Sequence, residues 1–202
     1  SVYLNDYSEI MDMFYGIYVS VIVSKGTNEV QTMKPENFFV LDLHIDNEIE
    51  TPQTLYDCLD MYVKPEILEG ECAWYNEKTG KKEDIKKQIQ FWNFPQIVII
   101  TINRFTPDGS SKVKKNITFP LDELDLSKYV CGYKPSSYKY ELYGICNHMG
   151  GVAGGHYTAF VRNVEKNWLH FNDRIVESVD TPNDVISPAA YCLFYRKKNN
   201  TV

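Results

Sequence analysis

Residues 97–102 read Ile-Val-Ile-Ile-Thr-Ile, the most constraining stretch of the chain. The run is too β-branched to favour a helix, because branching at Cβ restricts χ1 against the preceding turn. It is apolar at successive as well as alternate positions, so a strand built from it needs cover on both faces and belongs at the centre of a sheet. A membrane span needs about 20 such residues, far more than this run supplies. The run therefore reads as the core strand of a β-rich fold.

Other strands follow from shorter patterns. Tyr18, Ile22 and the β-branched Val19, Val21 and Val23 read as one strand ending at residues 24–28. Residues 38–45 read as another, with Phe39, Leu41, Leu43 and Ile45 alternating against Val40, Asp42 and His44, and the two are expected to pair antiparallel. Residues 72–94 alternate polar and aromatic side chains about a turn at Lys78-Thr79-Gly80, which predicts a long exposed hairpin rather than a core element. Pro107-Asp108-Gly109 and the Ser/Lys stretch to Lys115 form a loop, and residues 117–120 a short strand before Leu121, Leu124 and Leu126. Residues 138–148, 156–163, 168–172 and 190–196 suggest an antiparallel meander.

Two short helices complete the pattern. Asn5 or Asp6 can cap one that carries Ile10, Met11, Met13 and Phe14 and stops before Gly16. Thr51-Pro52 has the N-cap and first-position proline signature, and Leu55, Cys58, Leu59 and Tyr62 recur at helical spacing as far as Lys64-Pro65. The fold class is α+β: one domain over residues 1–202, with an antiparallel sheet, peripheral helices, a projecting hairpin and a tail at 197–202.

A net charge of −6 disfavours a nucleic-acid scaffold, since the global field repels phosphate backbones. The lysines from Lys78 to Lys87 are interleaved with Glu83 and Asp84 and read as a solvated face. Cys58, Cys72, Cys131, Cys146 and Cys192 are odd in number and contain no C-x-x-C pair, so neither a disulfide framework nor a zinc ribbon is suggested. An intracellular, reducing compartment, cytoplasm or nucleus, is expected. Ser1 in place of Met suggests a chain cut from something longer.

The chemistry concentrates in residues 140–173. Gly150, Gly151, Gly154 and Gly155 form a loop of low steric bulk that delivers His156 onto the first residue of a strand. Because the glycines precede a strand and not a helix, a phosphate-binding loop is rejected. Backbone without side chains suits close approach of an extended peptide instead. The strand 168–172 is the natural hairpin partner of the one starting at His156, which brings Asn172 or Asp173 back beside the imidazole. An amide or carboxylate there fixes tautomer and orientation, as a general base for a thiol or hydroxyl requires.

At this point the sequence resembles the ubiquitin-specific proteases, the papain-like cysteine deubiquitinases. Tyr140-Glu141-Leu142-Tyr143-Gly144-Ile145-Cys146-Asn147-His148-Met149-Gly150, then Gly154-Gly155-His156-Tyr157-Thr158-Ala159-Phe160, then Trp168 and Phe171-Asn172-Asp173, are similar to that family's histidine box. Ala190 to Tyr195 resembles its closing strand, and Pro95 to Phe105 its central strand with an Arg-Phe ending. The resemblance implies that His156 is the general base, Asn172 the residue that orients it and Asp173 a supporting neighbour. It implies that the loop from Phe105 to Lys115, and Gly150, Gly151, Gly154, Gly155 and Tyr157, flank the C-terminal tail of ubiquitin. It further implies fingers strands at 17–48 and 72–94, a palm sheet at 95–196, and cleavage of isopeptide or peptide bonds after ubiquitin's terminal glycine.

The family's nucleophilic cysteine lies in an Asn-Thr-Cys box on an N-terminal helix, and none of the five cysteines has that context. The thumb segment that would carry it is therefore expected to precede Ser1, leaving this chain inactive alone. The alternative is a catalytically inactive ubiquitin-binding or scaffold module. With Cys72 standing alone where many members have two C-x-x-C pairs, no fingers zinc and no other cofactor are expected. Cys146 reads as an inert mid-strand thiol, His148 as a residue with a structural hydrogen bond, and His44 and His170 carry no assigned chemistry.

Overall fold

The computed structural model describes residues 8–46, 53–106, 111–151 and 153–198. Helix α1 (Glu9–Phe14) leads into β1 (Gly16–Ser24), β2 (Val30–Phe38), β3 (Val40–His44), β4 (Gln53–Thr54), helix α2 (Leu55–Val63) and β5 (Glu66–Leu68). There follow β6 (Trp74–Asn76), β7 (Lys81–Glu83), β8 (Ile85–Asn93), β9 (Ile97–Asn103), β10 (Ile117–Thr118) and β11 (Leu124–Asp125). The last third holds β12 (Lys139–Gly151), β13 (Gly154–Arg162), β14 (Trp168–Asn172), β15 (Ile175–Ser178) and β16 (Ala190–Lys197). The fold is mixed α+β and mostly antiparallel. Among the described residues no helix is long and apolar enough to cross a membrane.

The eight-stranded sheet runs β15-β14-β13-β12-β16-β9-β3, with β11 paired to the start of β12. The isoleucine-rich run is β9, paired antiparallel with β16 and parallel with β3. It lies one strand in from the sheet edge. Val98, Ile100 and Ile102 are sealed and Ile99 nearly so, whereas Ile97 and Thr101 are half-buried, so one face is covered more deeply than the other. On the deep side Leu41, Leu43, Ile100, Ile102 and Leu193 share a core with Leu55, Cys58 and Leu59 of α2. The meander holds for β12 to β15, but β16 does not extend it: it returns to the other side of β12, between β12 and β9. Lys197, expected to open the tail, is the last residue of this strand.

The second sheet has order β2-β1-β8-β5. Here the expected pairing fails, because β1 takes Val30–Phe38 as its antiparallel partner, not residues 38–45. β2 carries Lys34, Pro35 and Glu36, a poor strand by propensity, yet it is an edge strand, where a missing proline N–H costs no ladder bond. Residues 40–44 cross into the eight-stranded sheet, so the 17–48 segment expected in the fingers is divided between two sheets. The 72–94 hairpin is likewise corrected. Only β6 and β7 form a hairpin, while β8 is a member of the second sheet with Ile85 and Phe91 fully buried. The Phe91 ring lies 4.5 Å from Phe94, 5.4 Å from Phe38 and 6.0 Å from Tyr62. Its alternation was that of a half-buried strand.

Helix α2 starts at Leu55 because Thr54, not Thr51, is its N-cap. Thr54 Oγ1 accepts from the Asp57 N–H at 3.2 Å and Asp57 Oδ2 accepts from the Thr54 N–H at 2.7 Å, a reciprocal capping box. Gln53 and Thr54 are drawn into a parallel bridge with β10, which delays the helix. Helix α1 has Ser8 at its N-cap; Asn5, Asp6 and the Thr51-Pro52 pair lie outside the described residues.

At the end of β9, Arg104 is completely buried. Its Nε donates to the Ala190 carbonyl at 2.9 Å and Nη1 to the Lys115 carbonyl at 2.6 Å, fastening the start of β16 and the 113–115 segment to the core strand. Burial holds the guanidinium pKa down to about 10.

Candidate active site

Strands β12 and β13 stay in register to the tip of their hairpin, with Met149 opposite His156, Gly150 opposite Gly155 and Gly151 opposite Gly154. The glycines are thus the ends of a paired ribbon and not a free loop, and His156 is the third residue of its strand rather than the first. Gly150 has φ +132° and Gly154 φ +154°. A Cβ on Gly150 would lie 2.5 Å from the Gly154 carbonyl oxygen, and one on Gly155 would lie 2.3 Å from His148 Nε2. Only glycine permits this approach.

Beyond the last β13–β14 pair, Ala159 with Phe171, the two strands run on to His156 and Asn172. Their side chains meet there: His156 Nε2 lies 2.6 Å from Asn172 Oδ1. An amide oxygen only accepts, so Nε2 carries the proton and Nδ1 keeps its lone pair in the neutral ring. The imidazole is exposed, and Asn172 is half-buried. Asp173 occupies the first position of the hairpin turn into β15, with φ 53°, outside that hydrogen bond.

The other side chains expected to flank the tail, Tyr157 and Phe105, gather on the other side of the ribbon. Tyr157, exposed, stacks on His148 with ring centroids 4.7 Å apart, and Phe105 approaches the same ring at 6.4 Å. Lys112 Nζ donates to the His148 carbonyl and sits 3.2 Å from its Nδ1. This is the structural hydrogen bond expected of His148, but its donor lies 36 residues away and no local pattern marks it. Burial first, and the Lys112 charge second, hold the His148 pKa below its ordinary value.

The thiols occupy different environments. Cys58 and Cys192 are buried, with pKa values pushed up by burial to about 11 and about 12. Cys146 faces Ala159 across the ladder, an odd number of residues from the Met149–His156 pair, so its thiol projects from the sheet face opposite to the imidazole. Cys72 and Cys131 are exposed. Among the described residues no three His, Cys, Asp or Glu side chains converge as a metal site.

Residues 3–195 match the family described as ubiquitin carboxyl-terminal hydrolase. The chain belongs to that family. Ubiquitin carboxyl-terminal hydrolase 12 of Saccharomyces cerevisiae is 41% identical over 163 residues, which cover 78% of this chain and 13% of the yeast protein. Ubiquitin carboxyl-terminal hydrolase 19 of Homo sapiens is 35% identical over 161 residues, covering 74% and 12%. The chain therefore spans a small part of the length of the curated relatives it matches. Among solved structures, a yeast SAGA DUBm with an Sgf73 mutant superposes with a TM-score of 0.80 at 29% identity, over 98% of this chain and 44% of that one. A SAGA DUB module bound to monoubiquitin superposes equally well, TM-score 0.80 at 28% identity, over 96% and 43%. The ubiquitin carboxyl-terminal hydrolase fold is thus common to this chain and these structures, and the resemblance to ubiquitin-specific proteases read from the histidine box stands.

Proposed function

We propose that this chain supplies the general base and its orienting amide to a thiol-dependent hydrolase acting after the C-terminal glycine of ubiquitin. The observation that carries the reading is the 2.6 Å contact between His156 Nε2 and Asn172 Oδ1 at the open end of a glycine-edged ribbon. With Nε2–H committed to Asn172, Nδ1 takes the proton of a cysteine thiol, and the thiolate attacks the scissile carbonyl. The imidazolium then gives its proton to the leaving amine, and the Asn172 oxygen dipole steadies the positive ring. Water, deprotonated by the same Nδ1, hydrolyses the thioester and returns the thiol. A neutral amide suffices, since the task is orientation. Asp173 borders this pair as a supporting neighbour.

Gly150, Gly151, Gly154, Gly155, Tyr157 and Phe105 flank the path of the ubiquitin tail. Gly151 and Gly154 support this, for a Cβ on either would meet nothing within 4 Å, leaving open space along bare backbone. The nucleophile comes from polypeptide outside these 202 residues, a reading supported by Cys146 facing away and by the raised pKa values of Cys58 and Cys192. The activity belongs in an intracellular, reducing compartment and uses no metal.

Hydrolysis of a fluorogenic ubiquitin C-terminal amide tests both parts. The 202-residue chain should be silent, and the longer polypeptide of the same protein active. In that longer form His156→Ala should abolish turnover and Asn172→Ala should lower kcat by about 10²–10⁴-fold. Turnover indifferent to His156→Ala overturns the assignment of the base. Turnover by the short chain that an alkylator stops overturns only the external source of the thiol.

A further inference from the structure

Cys146 of β12 and Cys192 of β16 are paired in the antiparallel register, the last such pair before the bulge at which Asn147 opposes Ala190. Directly opposed residues project from the same face, and antiparallel pairing holds their Cα atoms about 4.5 or 5.5 Å apart. Both spacings fall inside the range of about 4.4–6.8 Å that a disulfide spans. Both thiols are free. Cys146 is close enough to be one of the groups that raise the Cys192 pKa, after burial. Cys146 is half-buried and Cys192 is 8% exposed, so a reagent from solvent meets Cys146 first. The pair stands on the sheet face away from His156, apart from the hydrolytic site.

A buried thiol of raised pKa is ordinarily inert because little thiolate is present. What sets this pair apart is that the second thiol sits on the paired residue of the adjacent strand, so the closing step is intramolecular and faces no competition from dilution. We propose that Cys146 and Cys192 form a dithiol modification site that closes reversibly to a cross-strand disulfide when a small disulfide oxidant is in excess. Cys146 loses its proton and attacks one sulfur of the oxidant; the oxidant's S–S bond breaks and one reduced thiol leaves. Cys192, deprotonated in turn, attacks the Cys146 sulfur of the mixed disulfide and expels the second reduced thiol. Two protein thiols are oxidised, and one small disulfide is reduced to two thiols. Closure ties β12, the strand that runs into the glycine tip, to its neighbour β16.

The probe is glutathione disulfide, applied to the 202-residue chain in buffers of graded oxidised-to-reduced ratio. Acid quenching, alkylation without reduction, digestion and mass spectrometry then locate the product. The expected result is a Cys146–Cys192 linked peptide pair, two hydrogens lighter than its reduced form, which disappears on return to reducing buffer. In Cys192→Ser the reaction should stop with glutathione on Cys146. Independent alkylation of both thiols at every ratio overturns the proposal. So does glutathione that stays on Cys146 of the unaltered chain, or linkage through Cys72 or Cys131 in place of this pair.

Discussion

Two histidines eight residues apart on one hairpin have opposite circumstances, and the difference is made by single neighbours. His156 is exposed and shares its Nε2 proton with Asn172; His148 is 6% exposed, stacked on Tyr157 and faced by Lys112. Because burial and Lys112 depress the His148 pKa in the fold, the unfolded chain binds the proton more readily, near its ordinary value of 6.5. The sign follows: stability is fully present above 6.5 and is lost as pH falls from there toward the lower folded value. Thermal melts across this window should show a steeper loss for the native chain than for His148→Gln, and equal slopes would refute the claim. Gly155→Ala should cost about 1–3 kcal/mol in denaturant melts, since its Cβ would lie 2.3 Å from His148 Nε2 and 2.4 Å from the Met149 carbonyl. The His156–Asn172 contact was legible because hairpin logic alone returns the end of one strand to the start of the other. The Lys112–His148 contact was not, because it joins segments that only the folded sheet brings together.

At the scale of elements, local signals were reliable where local forces decide and misled where a neighbour does. The helix over 55–63 was legible from its apolar spacing, but its start was not, because the bridge between β4 and β10 holds Gln53 and Thr54 extended. Thr54→Ala removes the capping box and should lower stability by about 1 kcal/mol, measurable by urea denaturation; no change would mean that packing alone holds the helix. β2 was invisible because its polar and proline residues fit an edge and nothing else. β16 was legible as a strand, whereas its insertion between β12 and β9 was not, for alternation does not encode partner order. Arg104 helps to enforce that order by binding the Ala190 carbonyl at the head of β16. Arg104→Leu leaves buried carbonyls without donors and should cost about 3 kcal/mol or more. Arg104→Lys should recover little of it, since an ammonium lacks the planar fork that reaches both the Ala190 and the Lys115 carbonyls. Full recovery by lysine would show that charge alone matters.

Over the whole molecule, β9 is the meeting point of distant parts of the chain. It pairs with β3 from the first quarter and β16 from the last, so its ladders close only after most of the sequence is available. Folding dominated by such non-local pairing is slow, and stopped-flow refolding should fall on the order of milliseconds to seconds. A chain ending at residue 94 leaves β3 without its strand partner and should lack cooperative unfolding by circular dichroism; a sharp transition would contradict this. The strand-rich α+β class was legible in the apolar runs. The division into two sheets was not, since it rests on a change of direction at Phe39 between β2 and β3, where no composition shift occurs. Neither of the two larger sheets is closed into a barrel, so each has two edge strands whose outer backbone is the place where another chain would add. β15 is four residues long, β3 five and β5 three, and β2 carries Lys34 and Pro35 on its ladder. Edges so short or so interrupted offer a newcomer too few hydrogen bonds to take hold, which protects the protein against strand-to-strand polymerisation at high concentration.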